Sequence, residues 1–219
     1  MIDTEFFITG EPIPTEFGDC RFIKVKEYAF LTPYLSWFKM SKKEIIYTYS
    51  KITSILPNFK EAYEVIFSTV FNGVEILEKL TPENFEALRE LVLIMSCLKE
   101  EKISSNPEIQ RANERSKRVK SQDSDMVDMA DIMSSVAAHT GYLYKDINEM
   151  TLFQLYMTYY RVGQFKQYDT SILFATVSPD AAKHMESWGK HIDLFEEEKH
   201  YISRESFMKQ TKGFGKGSA

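Results

Sequence analysis

From Lys26 onward the apolar residues of this chain recur at intervals of three and four, and the runs open on residues that cap helices. That spacing leaves room for little but helices. Tyr28, Leu31, Leu35 and Phe38 make the first stripe. Ser41-Lys42-Lys43-Glu44 then has the form of a capping box, which predicts a helix through Ile45, Ile46, Tyr49 and Ile52 to about Ile55, with Pro57 ending it. The next runs from Asn58 through Tyr63, Ile66 and Val70 to Asn72-Gly73, where glycine tolerates the left-handed conformation of a helix end. Thr81-Pro82-Glu83 sets a cap, a first-turn proline and an acid in the order a helix start favours, and Phe85, Leu88, Leu91, Val92, Met95 and Leu98 form one apolar face. Met126, Met129, Ala130, Met133, Val136 and Ala137 continue the pattern to Gly141. A longer helix follows from Thr151 through Leu155, Tyr159 and Val162 towards Val177, with Gly163 as a weak point, and Ser178-Pro179-Asp180 starts a short last one.

Two stretches break the rhythm. In the first 26 residues, Glu5–Thr9 and Cys20–Lys26 are short runs rich in Phe, Ile and Val, separated by Gly10, Pro12, Pro14 and Gly18, and read as a β-hairpin with a loose loop. A lone hairpin is marginal, so it is expected to lie on helices or to pair with another chain. Residues 99–125 are almost free of large apolar side chains, although Asn106-Pro107-Glu108 repeats the cap logic and Glu114 lies four before Arg118. The predicted class is therefore mainly α, helical and bundle-like with a small N-terminal β-hairpin. Its divisions are a hairpin over 1–26, a helical subdomain over 27–100, a charged linker or exposed helical arm over 101–125, a second helical subdomain over 126–211 and a flexible glycine-rich tail over 212–219.

Composition excludes several functions. The chain has 219 residues, 43% of them apolar, enough for a sizeable core, and its net charge of −5 suits neither a nucleic-acid coat nor an acidic disordered tail. Cys20 and Cys97 form no CxxC pair, so a zinc ribbon and a disulfide framework are not expected. The longest apolar stretch, near Leu91–Leu98, is far short of the roughly 18–20 residues of a membrane span, and a soluble intracellular protein is expected. No GxSxG, GxxxxGK[ST] or GxGxxG motif is present, so no enzyme activity and no cofactor are predicted.

Four constellations remain as candidate sites. His184, His191 and His200 lie near Glu186, Asp193 and Glu196-Glu197-Glu198, but their spacing matches no helix-borne zinc motif, and they read as surface or partner-facing side chains, with no metal site. Arg111, Arg115 and Arg118 share a helical stripe that could track phosphates, yet no aromatic side chains accompany them and Asp123, Asp125, Asp128 and Asp131 follow at once; a protein-docking arm is the favoured reading over nucleic acid. Met126, Met129 and Met133 lie on one face, either as ordinary packing or as an adaptable binding groove. Tyr156, Tyr159 and Tyr160 fall in a stretch whose apolar side chains cannot all point inward, so that helix is central or makes an interface, and self-association is expected.

Three segments carry a family resemblance. Cys20-Arg-Phe-Ile-Lys-Val-Lys-Glu-Tyr28, Asp146-Ile-Asn-Glu-Met-Thr151-Leu-Phe-Gln-Leu-Tyr156 and Ser187-Trp188-Gly-Lys-His-Ile-Asp-Leu-Phe195 are similar to the hairpin-to-helix entry, the short helix entry and the acidic-flanked segment of tail assembly chaperones from phages of Gram-positive hosts. The resemblance implies a non-enzymatic adaptor in the host cytoplasm that binds the tape measure protein, and tail tube subunits, while the tail is built. The rivals are a permanent virion subunit of the connector, tail or baseplate, a metal-dependent enzyme using Glu186, His191 and Glu196–Glu198, and a nucleic-acid-binding regulator using Arg111–Lys120. Trp188 joins the tyrosines, methionines and arginines as a candidate partner contact.

Overall fold

The computed structural model describes residues 4–40, 57–100, 104, 106–123, 127–176 and 187–195. Within them the chain is mainly helical, with one two-stranded antiparallel sheet near the N-terminus. In chain order the elements are α1 (Thr4–Thr9), β1 (Ile13–Thr15), β2 (Gly18–Cys20), α2 (Val25–Phe38), α3 (Pro57–Val70), a 3₁₀ turn (Leu77–Lys79), α4 (Pro82–Met95), α5 (Pro107–Asp123), α6 (Met129–Thr140), α7 (Tyr144–Glu149) and α8 (Leu152–Ala175). The capping box at Ser41–Glu44 with its helix to Ile55, the start at Ser178-Pro179-Asp180 and the tail over 212–219 lie outside the described residues.

The hairpin is present, but its strands differ from the expected ones. Ile13–Thr15 pairs with Gly18–Cys20, whereas Glu5–Thr9 belongs to a short helix and the run after Cys20 leaves the sheet. The reason lies at Gly10. Phe7 is fully buried while Phe6 and Ile8 beside it are exposed, a pattern that a strand would allow as well as a helical turn, so the choice falls to the end of the segment. Gly10, at φ 74°, ends the turn in the left-handed region, and Ile8 O accepts from Gln154 Nε2 at 2.9 Å, which satisfies a carbonyl the short helix leaves open. A Cβ at Gly10 would stand 3.0 Å from that nitrogen.

Elsewhere the cap signals at Thr81 and Thr151 perform as read: Thr81 and Asn84 exchange side-chain bonds to each other's amides at the start of α4, as do Thr151 and Gln154 at α8. Asp128 and Asp131, which read only as part of an acidic run, form the same box at α6. Gly141 is left-handed behind α6, and Asn72 and Gly73 both have positive φ behind α3. Gly163 does not interrupt α8. The charged stretch holds α5, along which residues 106–116 are exposed except the half-buried Gln110.

Two packing nodes hold the helices. In the first, α2 and α3 lie side by side, and the rings of Phe38, Phe59, Tyr63 and Phe67 pack between them, mostly tilted or edge-on, with centroids 4.2–6.5 Å apart. Arg89 of α4 enters this node almost fully buried. Its Nη2 donates to Phe38 O at 2.8 Å and Met40 O at 2.6 Å, its Nε to the Tyr63 hydroxyl at 3.1 Å and its Nη1 to Glu100 at 2.7 Å. The guanidinium thus caps the open carbonyls at the end of α2. Burial pushes the Tyr63 hydroxyl up to about 12 against the opposing pull of Arg89.

The second node joins segments far apart in the sequence. Lys24 and Thr151 form an antiparallel bridge, with Val25 N donating to Met150 O and Leu152 N to Ile23 O, both at 3.0 Å. Lys24 and Lys26 each donate to Glu149, at 2.7 and 2.6 Å, and those two bonds hold its exposed carboxyl down to about 2. Phe7 packs edge-on against Phe22 and Phe153 beneath the bridge. Two of the three segments that carry the family resemblance therefore meet in space: the entry into α2 and the entry into α8 fix one another. One buried cluster runs from Phe7 through both nodes to Leu155, so residues on both sides of α5 share a core.

Candidate functional site

The two halves of α8 have different surroundings. Its first turn is clamped by the Thr151–Gln154 box, and Leu152, Phe153 and Leu155 are buried. Tyr156, Met157 and Tyr159 are half-buried and packed on the core, and burial raises the Tyr156 hydroxyl to about 12. From Tyr160 to Thr176 no residue is buried. Half of a helix that has left the core would normally be polar, yet Leu173 is 70% exposed, Phe174 61%, Tyr160 50% and Phe165 42%. Ile172, Leu173 and Phe174 follow one another and so point about 100° apart, covering more than half the helix circumference. A patch of this kind marks a surface meant to be covered.

One side is partly covered by residues 187–195. Arg161 Nη1 donates to Trp188 O at 2.7 Å and Lys190 O at 3.1 Å while also donating to Gln164 at 2.7 Å, which fixes the segment to the helix. Trp188 stacks flat on Phe165, with centroids 4.9 Å apart and planes 19° apart, and is itself 46% exposed. Leu194 and Phe195 pack against the core beyond it. Between helix and segment lies a trough of about 240 Å³ lined by Tyr160, Gln164, Gln167, Tyr168 and Ser171 on one wall and by Ser187, Lys190, His191, Ile192 and Asp193 on the other. Aromatic rings beside amides and hydroxyls make a surface that buries apolar area and still satisfies a partner's polar groups.

The candidate residues are thus distributed unevenly. Tyr160 lines the trough and Trp188 lies on the neighbouring segment, both about half exposed, whereas Tyr156 and Tyr159 are half-buried nearer the core. Met129 and Met133 are half-buried on α6 and packed against the core, and Met126 lies outside the described residues. Arg111 and Arg115 are exposed on α5, a different element, and Arg118 is on the same helix. Arg161, Phe165, Leu173 and Phe174 were missed, although three apolar residues in succession at 172–174 carry the same signal as the tyrosines: they cannot share one face. Among the described residues no group of three His, Cys, Asp or Glu side chains could hold a metal ion, and no helix is long and apolar enough to cross a membrane.

Comparison with known proteins gives this architecture an origin. The family model for the YomV N-terminal domain matches residues 2–53 and 51–105, and that for the YomV second domain matches residues 119–193. The SPbeta prophage-derived protein YomV of Bacillus subtilis (strain 168) is 39% identical over 221 aligned positions, covering 91% of this chain and 92% of that protein. No solved structure matches. The molecule is a mainly helical protein of phage origin. It belongs to the YomV family.

Proposed function

We propose that this chain is a non-enzymatic factor of phage particle assembly, a tail assembly chaperone that acts in the host cytoplasm and binds the tape measure protein, and tail tube subunits, through the distal half of α8. One observation carries the reading: the rings of Tyr160, Phe165 and Phe174 stand exposed around a half-helix whose other half is firmly anchored, with Trp188 of the neighbouring segment, itself half exposed, stacked on Phe165. A rigid base with an uncovered aromatic end suits an amphipathic helix of a client, whose apolar positions lie against rings while its polar edge meets the trough. Membership of a prophage family supports the setting, and the similarity of the α2 entry, the α8 entry and residues 187–195 to tail assembly chaperones supports the client.

The rival reading is a permanent subunit of the virion, whose same surface is covered in the particle. Quantitative mass spectrometry of purified particles beside the infected-cell lysate separates the two. Abundance in the lysate with absence from particles is expected of a chaperone. A fixed copy number per particle overturns it in favour of the structural subunit.

A further inference from the structure

The side of α8 opposite the trough carries a seam of its own. Leu152, Leu155, Tyr159 and Val162 are spaced three, four and three apart, and the stripe continues without a break as Lys166, Asp169, Leu173 and Thr176. Its first part lies in the core: Leu152 and Leu155 are buried, and Tyr159 and Val162 half-buried. Its second part runs past the core, and Lys166, Asp169, Leu173 and Thr176 are all exposed. Tyr160, Gln164, Gln167 and Ser171, which line the trough, project about half a turn away, so residues 187–193 leave this seam open.

We propose that a second copy of this chain covers this seam, with the two α8 helices antiparallel across a two-fold axis between Gln167 and Tyr168. Charge complementarity argues for this occupant. In an antiparallel pair the two positions of a heptad seam face each other, which sets Lys166 against Asp169 of the second copy and Asp169 against its Lys166. The same register sets Val162 against Leu173 at both ends. Every contact is thereby self-complementary, the requirement of a closed dimer. Neither Lys166 nor Asp169 has a hydrogen bond or ion pair among the described residues, so each is free for this role. Helices about 8–10 Å apart over this length remove on the order of 1,000 Å² from water in total, the lower limit of a specific interface, so the dimer is concentration-dependent.

Sedimentation velocity of the full chain over a hundredfold range of concentration tests this. The 25.5 kDa monomer is expected to give way to a species of twice that mass. Lys166→Glu and Asp169→Lys, each of which sets like charges together twice, should raise the dissociation constant at least tenfold, and the double variant K166E/D169K should recover the dimer. Thermal melting of each single variant should match wild type at monomeric concentrations, since both side chains are exposed and unpaired. A chain that stays monomeric, single variants that dimerise normally, or a double variant no better than the singles overturns the proposal. Client binding is read separately through Tyr160 and Trp188, so the failure of one surface does not imply failure of the other.

Discussion

Replacing Arg89 by methionine should be among the most damaging single changes in the first packing node. Arg89 is 3% exposed and donates to four acceptors: the Tyr63 hydroxyl, Glu100 and the carbonyls of Phe38 and Met40. Methionine keeps most of the volume and none of the donors. The Glu100 side chain is 28% exposed and regains water, so little of the loss is charged by this partner. The buried Phe38 carbonyl cannot, and the half-buried Met40 carbonyl can only in part; a buried acceptor left without a donor costs about 1–3 kcal/mol, so the two together cost about 2–5 kcal/mol. The thioether adds apolar contact worth about 1 kcal/mol, which leaves a net loss of about 1–4 kcal/mol. At about 2–4 °C per kcal/mol for a chain of this size, Tm should fall by roughly 2–16 °C in calorimetry. Arg89→Lys, with one head group in place of a fork, should fall between. A Tm for Arg89→Met within about 2 °C of wild type would refute the assignment of Arg89 as the cap of α2.

Three further outcomes follow from the same contacts. Gly10→Ala should destabilise by about 1–2 kcal/mol in urea unfolding, because φ is 74° and the added carbon meets the Gln154 amide at 3.0 Å. Partial burial alone would raise the Glu27 carboxyl, but the bonds it accepts from Arg21 and from the Lys24 amide hold it below the usual carboxylate range. Its folded value is depressed, so its contribution is fully present above the unfolded value near 4.3 and is lost as pH falls through the folded one. Glu27→Gln should therefore lower stability at pH 7 and flatten its decline below about pH 4.5, and parallel acid melts of the two proteins would contradict this. Phe7→Ala should cost about 3–5 kcal/mol, since its ring is fully buried between Phe22 and Phe153; a loss below about 1 kcal/mol would mean that α1 is dispensable to the core.

The elements that were legible in the sequence are those set by local chemistry. Thr81, Thr151, Gly141 and Asn72-Gly73 mark helix ends because their side chains or φ values act on neighbouring amides, which spacing alone reveals. The strands differ from the expected ones because Glu5–Thr9 has strand composition, and the contacts that complete the short helix, the left-handed Gly10 and the bond from the distant Gln154 to Ile8 O, leave no pattern in it. The bridge between Lys24 and Thr151 joins segments far apart in sequence, and no local pattern encodes it. Arg89 was overlooked although it sits inside the apolar stripe of Phe85, Leu88 and Val92, a position where a charge signals a buried partner. At the candidate site the tyrosines and Trp188 were visible as a surplus of rings, whereas the role of Arg161 in fixing residues 187–195 depends on backbone carbonyls that side-chain patterns do not display.

The claim at the centre of this account is that the trough face of α8 binds a client, and co-expression with the tape measure protein from the same phage genome tests it most directly. The two proteins should co-purify at a fixed ratio, and Tyr160→Ser with Trp188→Ala should reduce the recovered client at least tenfold while leaving Tm within about 5 °C of wild type, since each side chain is about half in water and lies outside the buried core. Undiminished co-purification by that variant would move the binding surface elsewhere, and failure of the wild-type chain to retain the tape measure protein would contradict the proposed function.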